Sequence, residues 1–219
     1  MAAPPLTFSD LPDTLSIFPL TGALLLPGGH LPLNIFEPRY LSMFADAMAT
    51  PHRLIGMVQP RTQDQEMSAS DLYSVGCAGR LTAFSETDDG RYLVTLTGLI
   101  RFDILEELPL SPKGYRRVRP DFLGYDGDLA ISETRVPGPR RQSFVEALRT
   151  YFQAQGFDTD WQAIESAPMD DLVTSLAMAC PFSPAEKQAL LEVEGFTDRL
   201  DTLEGLLTIG ALDCQDQRH

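Results

Sequence analysis

The feature that most constrains this 219-residue chain is a change of hydrophobic period near its middle. Before residue 124 the apolar runs are short, alternate with polar residues and are separated by glycine and proline, the pattern of strands joined by tight turns. After residue 138 they recur every three to four residues, the pattern of helices packed by one stripe. Residues 124–138 are rich in glycine, proline and acid and read as a linker. An α+β chain is expected, with a β-rich part over 12–123 and a helical part over 139–212.

Within the β part, strands are expected at 15–20, 31–36, 54–60, 72–86, 91–108 and 115–125. The Asp89-Gly90 pair marks a hairpin, and Gly76, Gly79 and Gly98 inside strands predict bends where a sheet curls. A helix starting at Pro38 carries Leu41, Phe44, Ala45 and Met48 on one face. In the second half, a helix from Pro139 buries Phe144, Val145, Leu148 and Phe152 and stops at Gly156. Others are expected over 168–179, after Ser183 and over 197–212. Ser183-Pro184-Ala185-Glu186 has the residues of a capping box, and Leu200, Leu203 and Leu207 form the last stripe.

Charge and cysteine content narrow the function. Net charge is −14, and acid concentrates late: residues 1–120 hold 10 basic and 13 acidic side chains, the remainder 7 and 18. Such a chain repels phosphate backbones and anionic lipid, which disfavours nucleic acid and membranes as partners. No apolar run is long enough to span a bilayer, and MAAPPLTFSDLPDT lacks the charged and apolar regions of a signal peptide. Cys77, Cys180 and Cys214 are unpaired in spacing, so a cytoplasmic location is expected, with Cys77 and Cys180 buried.

Two stretches carry a family resemblance. Residues 17–48, IFPLTGALLLPGGHLPLNIFEPRYLSMFADAM, resemble the opening of the Lon protease amino-terminal domain. Residues 172–207, with the Ser-Pro-x-Glu-Lys-Gln-x-Leu-Leu helix, resemble its end. The resemblance spans about 12–212 as one Lon N-terminal-type domain. It implies a small antiparallel β-barrel of the PUA-like type followed by an α-helical bundle. It also implies recognition of unfolded or tagged polypeptides, or docking on a partner protein, as an adaptor or client-holding module related to an ATP-dependent protease. Catalysis is not expected: there is no GxxxxGK[ST] phosphate loop, and neither Lys187, placed by the sequence on a capped surface helix, nor Lys113, in a turn, suits a Ser-Lys dyad. No cofactor is implied. Trp161, the single tryptophan, cannot form the three-tryptophan cage of the related cereblon domain.

Candidate partner-binding residues follow. Phe36-Glu37-Pro38-Arg39-Tyr40 is the family marker, offering Phe36, Glu37, Arg39 and Tyr40 either as a binding surface or as a corner fixed by a Glu37–Arg39 pair with Tyr40 packed. Tyr115, Arg117 and Arg119 fall on one face of a strand and offer an alternative, RNA stacking by a PUA-like protein. Against this, Asp103, Glu106 and Glu107 could neutralise the arginines across a hairpin. His30 and His52 stand alone, so no metal site is expected. Arg140 and Arg141, with Arg135 nearby, lie at the junction of the two parts and could touch an acidic partner, but read first as a solvated helix start.

Overall fold

A computed structural model describes residues 7–61, 71–130 and 136–216. Six strands run in the order β1 (Leu15–Pro19), β2 (His30–Ile35), β3 (Leu54–Val58), β4 (Val75–Glu86), β5 (Tyr92–Leu108) and β6 (Arg116–Asp121). Helix α1 (Pro38–Met48) sits between β2 and β3. After the sheet come α2 (Gly138–Gln155), α3 (Trp161–Ser166), α4 (Met169–Ala179), α5 (Pro184–Glu192) and α6 (Phe196–Asp216). The α+β class holds.

The sheet order is β2-β5-β4-β3-β1-β6, and β6 also pairs with β5. That second pairing turns the sheet back on itself, with β2 outside the circuit. One point corrects the antiparallel expectation: β1 and β3 run parallel, Ile17 beside Gly56 and Pro19 beside Val58. The connection between them is long enough for a crossover because it contains β2 and α1. The sheet is therefore mixed and partly closed, not a clean antiparallel barrel.

Closure is aided where glycine was expected to bend strands. Leu99 bulges out between the pairs Ala78–Ile100 and Gly79–Gly98, which increases the local twist. Gly90 and Gly114 adopt φ of +78° and +85° in the two hairpin turns.

Within the closed part of the sheet both faces pack against apolar side chains, whereas the ends of β2, β4 and β5 beyond it keep one face in water. Leu15, Ile17, Ile100, Phe102 and Val118 fill the inside of the curl. A larger cluster on the other side runs from Phe18, Leu25, Met43 and Leu96 through Phe144, Leu148 and Val173 to Leu203 and Leu207. Sheet and helices thus share one apolar core.

The capping box forms as expected: Ser183 N–H donates to Glu186 Oε2 at 2.7 Å, and Glu186 N–H to Ser183 Oγ at 3.3 Å. Gly156 ends α2 with φ of +74°. Helix α3 was not expected; its signal was Asp160, whose Oδ1 accepts from Gln162 and Ala163 at 3.0 and 3.1 Å.

Three expectations about basic residues are corrected. Lys187 is buried, not on a surface face, and its ammonium donates to the Gly22 and Met178 carbonyls at 2.8 and 3.2 Å. Burial pushes that ammonium below its ordinary pKa. Arg140 pairs with Asp201 and Glu204 of α6. Arg141 donates to the carbonyls of Ile164, Glu165 and Ala167 at the end of α3. The start of α2 is thereby tied down, not solvated; Arg135 lies outside the described residues.

Cys77 and Cys180 are buried and Cys214 is half-buried. Burial pushes the Cys180 thiol up to about 11 and the Cys77 thiol higher still, which suppresses the reactive thiolate. Titration with a thiol reagent at pH 8 is expected to modify Cys214 quickly and the other two only after denaturation. Rapid reaction of all three in the native protein would contradict this packing.

Candidate functional site

The β2-β5-β4 end of the sheet projects beyond the closed circuit. One of its faces is covered by α1. There the Phe44 ring stacks on Tyr92 at 4.8 Å and meets Phe84 edge-on at 5.5 Å, geometries that aromatic pairs favour. Although it touches Phe44, Phe84 is 55% exposed.

The opposite face has no helix over it. The register Asn34–Leu93–Ser85 and Pro32–Thr95–Ala83 sets these side chains in rows on that face, because successive residues of a strand alternate sides. They enclose a shallow hollow of about 590 Å³. Phe36 continues the β2 row just past the strand end. Phe36 and Leu93 are 61% and 48% exposed, and with Phe84 they rim the projecting end with apolar surface.

The marker residues divide between this surface and its support. Glu37 and Arg39 form a half-exposed pair, Arg39 Nε donating to Glu37 Oε2 at 2.9 Å; pairs of this kind contribute about 0–1 kcal/mol. The Arg39 guanidinium lies 4.6 Å above the Tyr40 ring. Tyr40 is buried against Phe18 with ring centroids 4.2 Å apart, and burial raises the pKa of its hydroxyl.

The second group of candidates does not assemble. Tyr115 precedes β6 and is buried, its hydroxyl donating to Asp46 Oδ2 at 2.8 Å. Arg117 donates to the Pro109 carbonyl and Arg119 pairs with Glu106 at 3.0 Å. Arg116 makes two 2.6 Å bonds to Glu107. The stacking reading of Tyr115, Arg117 and Arg119 is corrected: an aromatic platform must be exposed to stack on a base, and the Tyr115 ring is buried. Asp103 turns away from the arginines and accepts from Tyr125.

A larger cleft of about 1210 Å³ opens between one part of the sheet and the helices. Gly28, Thr97, Tyr125, Thr174, Met178 and Arg199 are among its walls, and Arg101 with Asp128 lies against its floor. The Arg101 guanidinium is 5% exposed and makes two 2.9 Å bonds to Asp128. It also donates to the carbonyls of Leu191, Val193 and Glu194 at and just past the end of α5 and lies 4.9 Å above the Tyr125 ring. Asp128 and Tyr125 belong to the stretch read as a linker, which is here part of the joint. Sequence reasoning missed Phe84, Leu93, Arg101 and Asp128. A lone arginine in the apolar run Leu99-Ile100-Arg101-Phe102 was the available signal for Arg101.

The family profile described as "ATP-dependent protease La (LON) substrate-binding domain" matches residues 14–208, from β1 into α6. The chain belongs to the Lon substrate-binding domain family. Lon protease 1 of Herpetosiphon aurantiacus is 25% identical over 91% of this chain and 25% of its own length. Lon protease of Anaeromyxobacter dehalogenans is 34% identical over 47% of this chain and 12% of its own. The chain therefore spans about a quarter or less of these proteases, and the part matched is their non-catalytic substrate-binding domain. Among solved structures, the Lon N-terminal domain protein from Xanthomonas campestris superposes with a TM-score of 0.60 at 21% identity, covering 89% of this chain and 96% of that one. The N-terminal domain of Mycobacterium avium complex Lon protease gives 0.59 at 17%, covering 89% and 98%. The Lon N-domain fold thus persists where few side chains are shared. Among the described residues, no helix is long and apolar enough to cross a membrane.

Proposed function

We propose that this Lon N-domain relative binds unfolded or tagged polypeptide, or a partner protein, and holds or delivers it in the cytoplasm without cutting it. The observation that carries the reading is the projecting sheet end. It is braced from behind by α1, while Phe36 and Leu93 beside the hollow and Phe84 at the β4 edge stay in water. Exposed apolar side chains grouped on a rigid element mark interaction surfaces. The hollow is open and shallow, which suits a chain segment better than a small molecule enclosed on most sides.

The test is fluorescence anisotropy with labelled, reduced and carboxymethylated lactalbumin as an unfolded client. The wild type should bind. Changing Phe36, Phe84 and Leu93 together to serine should weaken binding by about tenfold or more, since buried aromatic anchors dominate such interfaces. The circular dichroism spectrum should not change, because all three side chains are exposed. Peptide and ATP turnover by the purified chain should be blank. Undiminished binding by the triple variant would move the site elsewhere, and no binding by the wild type would end the reading.

A further inference from the structure

Only part of β4 has strands on both sides. Its pairing with β3 stops at Leu54–Arg80, and the last contact on that flank is Leu81 N–H to the Arg53 carbonyl at 3.0 Å. Arg53 is the reason: it sits at φ of +54°, the one non-glycine residue with positive φ among those described. That conformation is costly for a side chain of this size. It is secured by Arg53 N–H donating to Thr50 Oγ1 at 3.0 Å. The kink keeps the preceding chain out of the sheet, so Ala83–Glu86, just past a bulge at Thr82, pairs with β5 alone.

The main-chain direction along this bare edge can be read from the hairpin. Thr87 N–H donates to the Arg91 carbonyl, so Thr87 faces the β5 side, as does Ser85 two residues before it. Phe84 and Glu86, in the alternate positions, direct N–H and C=O outward. The other free edge, β2, contains Pro32, a residue that guards edges against added strands. The β4 edge contains neither proline nor lysine.

We infer that an extended polypeptide segment adds as a strand to the Ala83–Glu86 edge of β4, with an apolar residue beside Phe84 and a basic residue two positions away beside Glu86, because those two side chains lie on one face. The inference rests on the polypeptide-binding reading and specifies how binding occurs. Only an extended main chain supplies donors and acceptors at the spacing Phe84 and Glu86 present. An apolar side chain of the added strand lies against the exposed Phe84 ring. Charge sets the flanking preference: Asp89 pairs with Arg91, whereas Glu86 and Asp88 have no ion-pair partner among the described residues and favour a cation alongside.

The probe is a short synthetic peptide with valine and lysine taking turns at every second position and threonine between them, compared with an analogue N-methylated on one edge. N-methylation removes the main-chain donors and keeps every side chain. The parent should bind, and the analogue should bind about tenfold more weakly through the lost hydrogen bonds. Parent binding should slow hydrogen exchange at the Phe84 and Glu86 amides but not at Ser85, which already faces β5. Glu86→Lys, an exposed change that keeps the fold, should weaken the parent and steepen its dependence on valine content over charge. Equal binding of the two peptides, or no added protection at Phe84 and Glu86, overturns the strand-addition inference. If carboxymethylated lactalbumin still binds in a manner abolished by the triple serine variant, the broader reading survives that result. If neither peptide nor lactalbumin binds, both fall.

Discussion

Replacing Arg101 with methionine is expected to lower the unfolding free energy by about 3–5 kcal/mol, and the melting temperature by on the order of 10 °C. The change leaves the Asp128 carboxylate, only 11% exposed, without its cation. It also leaves the carbonyls of Leu191, Val193 and Glu194 without a donor at the C-terminal end of α5, where the helix dipole favours positive charge. Methionine restores much of the aliphatic volume, so the loss reports the polar network rather than a cavity. A double variant that also carries Asp128→Leu should recover part of the loss, because it removes the stranded carboxylate instead of leaving it buried. Urea titration of the three proteins provides the measurement. A loss below about 1 kcal/mol for Arg101→Met would place the pair in the class of solvent-screened surface bridges and contradict the burial described here.

The elements legible in the sequence were those whose local chemistry agrees with their tertiary role. Ser183, Pro184 and Glu186 specify the start of α5 by themselves, and Gly156 and Gly90 take the left-handed backbone that only glycine adopts cheaply. What local reasoning missed was decided by contacts distant in sequence. The parallel β1–β3 pair depends on the chain passing through β2 and α1 before β3 forms, and no alternation within Ile17-Phe18-Pro19 distinguishes parallel from antiparallel neighbours. Lys187 looks like a surface residue on a capped helix. Its ammonium is nonetheless held inside by the Gly22 carbonyl, 165 positions away in the chain.

Legibility of the candidate site follows the same division. The Phe36-to-Tyr40 marker was visible, but the marker alone does not show that Phe36 points into water while Tyr40 packs on Phe18. The Arg117 and Arg119 stripe was visible as well. Its neutralisation could be anticipated for Glu106 and Glu107 because a hairpin places them opposite, whereas Tyr115's bond to Asp46 of α1 could not. Phe84 and Leu93 gave no signal beyond ordinary strand alternation. They become notable only because β3 stops short at Arg53 and no helix covers the outer face of β2-β5-β4.

The second large effect is expected at Gly98, where alanine should cost about 3 kcal/mol or more, the upper end for overpacking. A Cβ built at Gly98 would lie 2.0 Å from the Leu26 carbonyl oxygen and 2.8 Å from its carbon. The obstacle is backbone, so no rotamer change relieves it. That backbone is fixed on both sides: Gly28 N–H donates to the Gly98 carbonyl, Gly98 N–H donates to the Gly29 carbonyl, both at 2.9 Å, and Leu24, Leu25 and Leu26 are fully buried. To admit the methyl group, β5 must separate from the 26–29 segment, which breaks those bonds and opens the wall of the sheet–helix cleft. Gly127→Ala is the control, since its Cβ meets nothing within 4 Å and its φ is not positive; it should change stability by less than about 0.5 kcal/mol. Denaturant curves for the two variants separate the explanations. If Gly98→Ala is as harmless as Gly127→Ala, the 26–29 segment is not held against β5, and the close approach that binds this loop to the sheet does not exist in solution.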